Sequence, residues 1–418
     1  MDSVHAALQG PADEPAVEVM QTNCCIVGGG PAGMMLALLL ARKGVPVTLL
    51  EGHKDFERDF RGDTVHPSTL EILDQLGLAD RALQIPHGKL YTLQLRTPHG
   101  MMVLGDLRRL RTKFPFVALL PQAQLLDFLA EEAKKYPSFR LVMGANVQRL
   151  VQTDGVVRGV RYRGDDGWHE VLAPLTVAAD GRFSKVRSLV GMEPVKTAPP
   201  IDIVWLRFPK LADDPRDDVL IHIRHGHFAA LLERADNWQI GYAILKGTFA
   251  QVRAAGIETL RQGLVDIFPW LKDRAEKLTD WKQMAVLSVE SSRLPQWYQP
   301  GLLLIGDAAH VMSPVGGVGI NYAVQDAVEA ANILGESLKC GRVEVSELAA
   351  VQKCREPAVR MIQKLQGFLQ RRIAGRALQT AGDFKPPLAL RLLSQIPFLR
   401  NLPVRMIAFG PRRVRIRD

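Results

Sequence analysis

A glycine turn near the start of the chain places the strongest constraint on its fold. Residues 28–33 (GGGPAG) follow a short apolar run at 24–27 and open an apolar stretch that ends before Gly44. This order predicts a strand, a tight turn and a helix. Residues 45–50 predict a second strand, with Glu51 at its end. Strand, turn, helix and strand in succession form a βαβ unit, so we expect an α/β protein.

The spacing of the glycines matches the G-x-G-x-x-G pattern of dinucleotide-binding turns. The first glycine permits the tight turn, the second lets the backbone approach a pyrophosphate, and the third lets helix and strand pack closely. Amide groups at the helix start would bind the diphosphate, because the helix dipole favours an anion there. A carboxylate at the end of the next strand can accept a hydrogen bond from a ribose hydroxyl. A purely structural glycine turn is the alternative. The predicted contacts are Gly28, Gly30, Pro31, Ala32, Gly33 and Glu51.

Later segments of the chain favour a flavin as the dinucleotide. Residues 179–187 (ADGRFSKVR) and 306–310 (GDAAH) each follow a predicted strand, and residues 314–321 (PVGGVGIN) open a helix. An Asp at a strand end can accept hydrogen bonds from ribityl hydroxyls. A glycine-rich turn at a helix start brings amides to a pyrimidine carbonyl, where they can stabilise the negative charge of a reduced ring.

Together these segments resemble the motifs of the class A flavoprotein monooxygenases, whose type member is p-hydroxybenzoate hydroxylase. The motifs are the dinucleotide turn, a D-G segment with a trailing Ser and Arg, and a G-D segment, and they occur in the family's order. The resemblance covers about residues 22–365. It implies a Rossmann-like FAD-binding domain of the glutathione reductase type, an inserted antiparallel β-sheet domain for the substrate, and C-terminal helices.

The resemblance also implies roles for single residues around the FAD. Arg61 matches the family's arginine near the FAD, and Gln122 matches a glutamine at a helix start that contacts the ribityl region, with Gln124 as a less favoured choice. The alternatives are a surface arginine at 61, a helix cap at 122 and a turn cap at 180. His310 is interpreted as structural, and no catalytic base is predicted. The other implied contacts are Asp180 near the diphosphate and the path of NAD(P)H, Asp307 on the ribityl chain, Pro314 beside the isoalloxazine, and Gly317, Gly319 and Asn321 at its pyrimidine edge.

The activity implied by the resemblance is that of an FAD-dependent monooxygenase with NAD(P)H and O2 as co-substrates. In the family, NAD(P)H reduces the FAD, and the reduced flavin reacts with O2 to a flavin hydroperoxide that delivers one oxygen atom to an aromatic or polycyclic small molecule. An epoxidase and a flavin-dependent reductase of isoprenoid double bonds are alternatives on the same fold. The sequence lacks the W-x-W-x-I-P motif of flavin-dependent halogenases. No metal site is predicted, because histidines and carboxylates do not cluster with ligand spacing.

The inserted sheet is expected where short alternating runs succeed one another, at 203–208, 219–224, 228–233 and 238–245. The predicted division is a discontinuous FAD-binding domain (22–85, 110–190 and 286–360), a substrate-binding β-sheet domain (86–109 and 191–285), a basic helical tail (361–418) and a flexible leader (1–21).

Two polar side chains of the inserted sheet are candidates for substrate contacts. Alternation places His222 and Arg224 on one face of a strand, where either can pair with a phenolate or carboxylate. We favour the alternative that both face solvent. Trp205 and Tyr242 are interpreted as packing residues of the sheet.

The basic charge of the chain lies in its C-terminal part. Residues 351–418 carry 15 Lys and Arg against 3 Asp and Glu, whereas the first 350 residues carry 38 against 41. A nucleic-acid enzyme with a basic body is therefore not expected. Apolar residues beside arginines in the tail predict either a peripheral contact with an anionic membrane or packing against the body. These residues are Leu388, Leu390, Leu392, Leu393, Ile396, Phe398 and Leu399, beside Arg391, Arg400 and Arg405.

The location expected from the sequence is cytoplasmic. The longest unbroken apolar run covers residues 34–41, and a helix across a bilayer needs about 20 apolar residues. No secretory signal is recognised in the leader. Four cysteines without a C-x-x-C pair fit a reducing compartment and inert thiols. Oligomeric state is left open.

Overall fold

The computed structural model describes residues 18–57, 63–197, 199–215, 220–379, 384–386 and 396–417. Some of the residues singled out above lie outside this part of the chain. They are Arg61, Leu388, Leu390, Arg391, Leu392 and Leu393, together with the side chains of Phe398, Leu399 and Arg400.

The described residues form a mixed α/β fold. In chain order the strands are β1 (Glu18–Gln21), β2 (Cys24–Val27), β3 (Val47–Glu51), β4 (Thr64–Val65), β5 (Gly88–Leu90), β6 (Thr92–Thr97), β7 (Gly100–Asp106), β8 (Val117–Leu119), β9 (Phe139–Met143), β10 (Asn146–Thr153), β11 (Val156–Gly164), β12 (Gly167–Leu172), β13 (Leu175–Ala178), β14 (Val195–Thr197), β15 (Ile201–Pro209), β16 (Ile221–Arg224), β17 (His227–Glu233), β18 (Asn237–Leu245), β19 (Ala285–Leu287), β20 (Ser291–Arg293), β21 (Tyr298–Gln299), β22 (Leu302–Leu304) and β23 (His310–Val311).

The helices lie between and after these strands. They are α1 (Pro31–Arg42), α2 (Pro67–Gln75), α3 (Ala79–Ala82), α4 (Gln122–Ala133), α5 (Lys185–Leu189), α6 (Phe249–Ala254), α7 (Ile257–Ile267), α8 (Lys272–Ala275), α9 (Gly319–Lys339), α10 (Val345–Leu369), α11 (Gly375–Gln379) and α12 (Pro397–Phe409). A π-helical turn, Gln370–Ala374, joins α10 to α11. No helix of the described ranges is long and apolar enough to cross a membrane.

A six-stranded sheet in the order β21-β22-β13-β2-β3-β9 forms the centre of the molecule. Its strands run parallel except β21, which is antiparallel to β22. The predicted βαβ unit is formed by β2, α1 and β3. Helix α1 is buried from Ala32 to Ala41 because α4 and α9 pack on it. The ends of β2, β13 and β22 that carry the sequence motifs therefore meet at one edge of the sheet, where ligands bind in such folds.

A seven-stranded sheet in the order β19-β15-β18-β17-β16-β6-β7 lies beside the central sheet. All neighbouring strands in it are antiparallel except β16 and β6. Apolar side chains of α7 cover one of its faces, so that Leu264 packs against Ile240 and Tyr242. The four runs that predicted strands at 203–245 all lie in this sheet, whereas helices α6 to α8, which follow them, were not predicted.

Three details differ from the sequence predictions. Glu18–Gln21, which fall within the predicted flexible leader, form β1 and pair in parallel with β12. The alternation of residues 140–147 predicts one strand, but the structure has two, β9 and β10, because the chain turns at Gly144 with φ +71°. Strand β5 falls in the predicted substrate-binding domain (86–109), but it pairs with β8 and does not belong to the seven-stranded sheet.

The described end of the chain packs on the body. Val404, Ala408 and Phe409 of α12 join a buried cluster with Val117 and Leu119. Beyond that helix, an Arg413 guanidinium nitrogen lies 3.0 Å from a carboxylate oxygen of Glu71, and the Arg417 amide donates to Asn332 Oδ1 at 2.9 Å. Ile396 is 44% exposed. Side chains of α12 and of the segment after it therefore contact the body, while the two alternatives for the leucines at 388–399, membrane contact or packing, stay predictions.

Candidate active site

The glycine turn joins β2 to α1, and two of its glycines have no room for a side chain. Gly28 has φ +104°, and a Cβ there would lie 2.5 Å from the carbonyl oxygen of Ala179. A Cβ on Gly33 would overlap the carbonyl oxygen of Gly28. Any other residue would thus separate β2 from β13 or tilt α1.

Gly30, the second glycine of the G-x-G-x-x-G pattern, faces open space. A Cβ on Gly30 would meet no atom within 4 Å, and no side chain caps the N-terminus of α1, which begins at Pro31. The first amides of a helix have no partner within the helix. An open helix start without a capping side chain fits a diphosphate, because its amides and dipole favour an anion.

Glu51 lies beside this turn and is 7% exposed. Its Oε2 accepts a hydrogen bond from the Gly29 amide at 2.8 Å, and its Oε1 accepts one from the His53 amide at 3.0 Å. The His53 ring nitrogen Nδ1 lies 2.7 Å from the same Oε1. The carboxylate is therefore held next to the glycine turn, which is the position expected of a ribose acceptor.

The D-G segment contacts the glycine turn from the neighbouring strand. A Cβ on Gly28 would lie 2.7 Å from the Asp180 Cα. Asp180 Oδ2 accepts from the Val186 amide at 3.1 Å, while Oδ1 is buried without a partner among the described residues. Burial raises the pKa of Asp180. An unpaired buried acceptor beside a helix start is consistent with a donor supplied by a ligand.

An arginine fastens the D-G segment to the G-D segment. Arg187 Nη1 donates to the Ala308 carbonyl at 2.9 Å, and its Nη2 donates to the Arg182 carbonyl at 2.6 Å. Ser184 Oγ accepts from the Arg187 amide at 2.9 Å and caps α5. The trailing Arg of the motif thus joins the D-G segment to the G-D segment, and the trailing Ser fixes the start of α5.

The G-D segment reaches the start of α1 as well. Gly306 has φ +58°, and a Cβ there would lie 3.1 Å from the Ala32 Cβ. Asp307 follows in a short 3-10 turn, Gly306–Ala308. The D-G segment with Asp180 and the G-D segment with Asp307 are more than 100 residues apart in the chain. Both therefore meet at the N-terminus of α1.

The glycine-rich loop before α9 is tied to β4 and α2. Thr64 Oγ1 donates to the Gly317 carbonyl at 2.8 Å. Asn321 Oδ1 accepts from the His66 amide at 2.8 Å and from Thr69 Oγ1 at 2.7 Å. Its Nδ2 lies 3.2 Å from the carbonyls of Thr64 and Gly317. The Asn321 side chain thus holds the loop in place, and a contact with a ligand is left to the backbone. Gly319 faces open space.

Gln122 is the first residue of α4. Its amide donates to Asp63 Oδ1 at 3.3 Å. The other oxygen of Asp63 lies 2.7 Å from Arg234 Nη1 in the loop between β17 and β18. This pair joins the helix start to the seven-stranded sheet.

A buried ion network behind the G-D segment was not predicted. Asp326 Oδ2 lies 2.6 Å from His310 Nε2 and accepts from the Gly306 amide at 3.1 Å, and Asp326 Oδ1 accepts from Arg355 Nε at 2.8 Å. Burial opposes ionisation of Asp326, but His310 and Arg355 hold its pKa below the usual value. The network supports the structural interpretation of His310. No sequence motif marks the partners, because they come from separate elements.

The substrate candidates on the seven-stranded sheet differ from expectation in one case. His222 is buried and its ring centre lies 4.7 Å from that of Phe268, so the solvent-facing interpretation is wrong for this residue. Arg224 is exposed, as expected. Tyr242 packs among the side chains next to α7. Trp205 lies on the opposite face, where a Cβ on Gly241 would be 2.9 Å from its ring.

Two cavities accompany these features. One of about 910 Å³ adjoins Glu51 and is lined by Gly52, His53, Lys54, Asn146, Arg149 and Trp168. It lies where the resemblance implies the adenosine end of the FAD. The other, of about 500 Å³, is lined by His222, Arg224, Phe268 and Trp270 at the side of the sheet that α7 covers.

Comparison with known proteins gives consistent results. The FAD binding domain family matches residues 21–364. The chain is 33% identical over 410 residues to 6-methylpretetramide 4-monooxygenase of Streptomyces rimosus, which covers 97% of this chain and 96% of that protein. It is 24% identical to pentachlorophenol 4-monooxygenase of Sphingobium chlorophenolicum over 72% of this chain and 56% of that protein.

Solved structures share the fold. The anhydrotetracycline hydroxylase of Streptomyces rimosus superposes with a TM-score of 0.73 at 24% identity, over 93% of this chain and 76% of that chain. The p-nitrophenol 4-monooxygenase of Pseudomonas putida superposes with a TM-score of 0.73 at 21% identity, over 93% and 96%.

Proposed function

The chain belongs to the FAD binding domain family and is an FAD-dependent monooxygenase that uses NAD(P)H and O2, and from this premise we propose that it hydroxylates a polycyclic aromatic compound. The relative that matches nearly the whole chain is named for 6-methylpretetramide, and a structural neighbour is named for anhydrotetracycline. These names favour a polycyclic substrate over a single-ring phenol.

One observation carries the assignment of the cofactor site. Asp180 next to Gly28 and Gly306 next to Ala32 bring all sequence motifs to the open N-terminus of α1. We propose that the FAD diphosphate binds there and that Glu51 accepts from the adenosine ribose. Arg61 near the FAD stays a prediction. The further proposed contacts are Pro31, Gly33, Gln122, Asp307, Pro314, Gly317, Gly319 and Asn321.

Bound FAD would supply the redox chemistry of the reaction, namely hydride acceptance from NAD(P)H and activation of O2. The part of this chain is to bind, orient and shield. Backbone amides of residues 315–319 would lie along the pyrimidine edge and stabilise negative charge that develops there. The Asn321 and Thr64 hydrogen bonds keep these amides in place before the reaction, so little reorganisation is needed.

The substrate is proposed to lie on the face of the seven-stranded sheet that carries Trp205 and Gly241, opposite α7. Ala243 of this face packs against Ala374 in the π-helical turn. Ile407 of α12 lies 3.5 Å from the position of a Cβ on Gly316. The C-terminal elements thus border both the sheet and the glycine-rich loop, where they would exclude water from the reaction.

The finer architecture follows from the same reasoning. We propose a Rossmann-like FAD-binding domain of the glutathione reductase type built on the six-stranded sheet. The seven-stranded sheet with α6 to α8 would be the inserted substrate domain. Peripheral membrane contact through the basic tail stays a prediction, and Arg413 and Arg417 are already bonded to the body.

The experiment that tests the proposal begins with the visible spectrum of the purified protein. NADH and NADPH oxidation is then measured in air and without O2, with a panel of polycyclic phenols, single-ring phenols and prenyl compounds. A flavin spectrum, NAD(P)H oxidation stimulated by a polycyclic phenol, and one ¹⁸O atom from ¹⁸O2 in the product are expected. Turnover of an alkene without O2 would instead assign the reductase activity. Failure to bind FAD would refute the site.

A further inference from the structure

Helix α10 packs Gln366 against the glycine-rich loop that precedes α9. Gln366 is 2% exposed, although glutamine is rarely buried in a helix without a partner. Its Nε2 donates to the Ser313 carbonyl at 2.9 Å and to the Val315 carbonyl at 2.7 Å. Both amide hydrogens are thereby used, and the two acceptors are the carbonyls on either side of Pro314.

The backbone of the segment held in this way is irregular. Pro314 has no amide hydrogen to donate. Gly316 and Gly317 follow with φ +79° and +59°, and the Gly317 amide bonds only within its own turn, to the Pro314 carbonyl at 3.0 Å. Thr64 and Asn321 hold the loop from the β4 side. Gln366 holds it from the α10 side, so the loop is fixed between two elements.

We propose that Gln366 is a positioning residue that sets the place of the 314–317 backbone against the pyrimidine edge of the FAD. The inference rests on the proposed function, which puts this loop at the flavin ring. Through the loop amides, Gln366 controls how strongly reduced FAD is stabilised relative to oxidised FAD.

The chain offers a matched control one turn earlier on the same helix. Gln363 Nε2 also donates to two carbonyls, those of Ser292 at 2.9 Å and Val311 at 3.1 Å. Neither carbonyl flanks Pro314. Loss of either glutamine amide leaves two backbone acceptors without their donor, so similar losses of thermal stability are expected. An effect on the flavin is expected for only one of them.

The test compares Gln366→Met and Gln363→Met, because methionine keeps the length of the side chain and removes the donors. The two-electron midpoint potential of bound FAD is measured by slow anaerobic reduction with indicator dyes, beside the visible spectrum and the melting temperature. Loss of a complete charge-stabilising hydrogen-bond donor lowers kcat roughly 100- to 1,000-fold in enzymes. For a displaced donor we expect about tenfold weaker binding of reduced relative to oxidised FAD, which lowers the potential by about 30 mV.

The outcomes separate the inference from the function it rests on. A lowered potential in Gln366→Met, with an unchanged potential in Gln363→Met, supports a positioning role. Equal potentials in all three proteins, or equal shifts in both variants, overturn it. If Gln366→Met does not fold, the uncharged pair Gln366→Leu and Gln363→Leu is compared by the same criterion. A wild-type chain that does not retain FAD overturns the proposed function itself.

Discussion

Alanine at Gly30 and alanine at Gly28 are expected to damage different properties of the protein. The two glycines are two residues apart in the same turn, yet Gly30 faces open space and Gly28 contacts the backbone of Ala179. The pair therefore tests whether the open space at the start of α1 is the diphosphate site.

The expected magnitudes follow from the local geometry. Gly28→Ala introduces a β-carbon at φ +104° and 2.5 Å from a carbonyl oxygen. Backbone strain and overpacking each cost about 1–3 kcal/mol, so the free energy of unfolding should fall by about 2–6 kcal/mol. Gly30 has φ −70°, which alanine adopts without strain, so the apoprotein should be unchanged or up to about 1 kcal/mol more stable.

Gly30→Ala should instead weaken the binding of FAD. A methyl group in the space proposed for the diphosphate would cost about 1–3 kcal/mol, which raises the Kd roughly 5- to 150-fold. Urea unfolding of the apoproteins gives the stabilities, and quenching of flavin fluorescence gives the Kd. Wild-type affinity in Gly30→Ala would refute the placement of the diphosphate, and a large loss of apoprotein stability would refute the open geometry.

Three further outcomes are expected. Asp326→Asn leaves Arg355 without its buried charge partner and should lower the free energy of unfolding by about 3–5 kcal/mol in urea, and a loss below 1 kcal/mol would contradict a tight network. Arg187→Met removes the donors to the Ala308 and Arg182 carbonyls, so FAD affinity should fall about tenfold while Arg182→Met, which keeps that carbonyl, stays near wild type. Burial lowers the pKa of His66 to about 4, so protonation favours the unfolded chain and stability is lost as pH falls from 6.5 towards 4. At pH 5 wild type should lose about 2 kcal/mol more than His66→Asn, measured by urea unfolding, and parallel pH profiles would disprove this.

Much of the fold and of the cofactor site was predictable because its signals are local. A glycine turn between an apolar strand and an apolar helix depends on neighbouring residues only. The alternation at 203–245 likewise reports the two faces of each strand within a few residues. The family motifs then indicated FAD and a monooxygenase, which the FAD binding domain match and the relatives confirm.

The errors arose where partners lie far apart in the chain. Alternation put His222 and Arg224 on one face, but it did not show that α7 and Phe268 cover one of them. The basic charge of the tail did not show that Arg413 pairs with Glu71, 342 residues earlier, and contact of the tail with a membrane stays a prediction. Helices α6 to α8 were not predicted, because the alternating runs that precede them indicate a sheet.

The sequence by itself determined the βαβ unit, the flavin motifs and their order, since backbone conformation and side-chain period are properties of short segments. Tertiary structure alone decided which groups hold those motifs. Asp326 gathers His310 and Arg355, Arg187 joins two motifs, and Gln366 grips the backbone around Pro314. Each of these contacts satisfies a buried polar group, and the identity of its partner depends on how the elements pack.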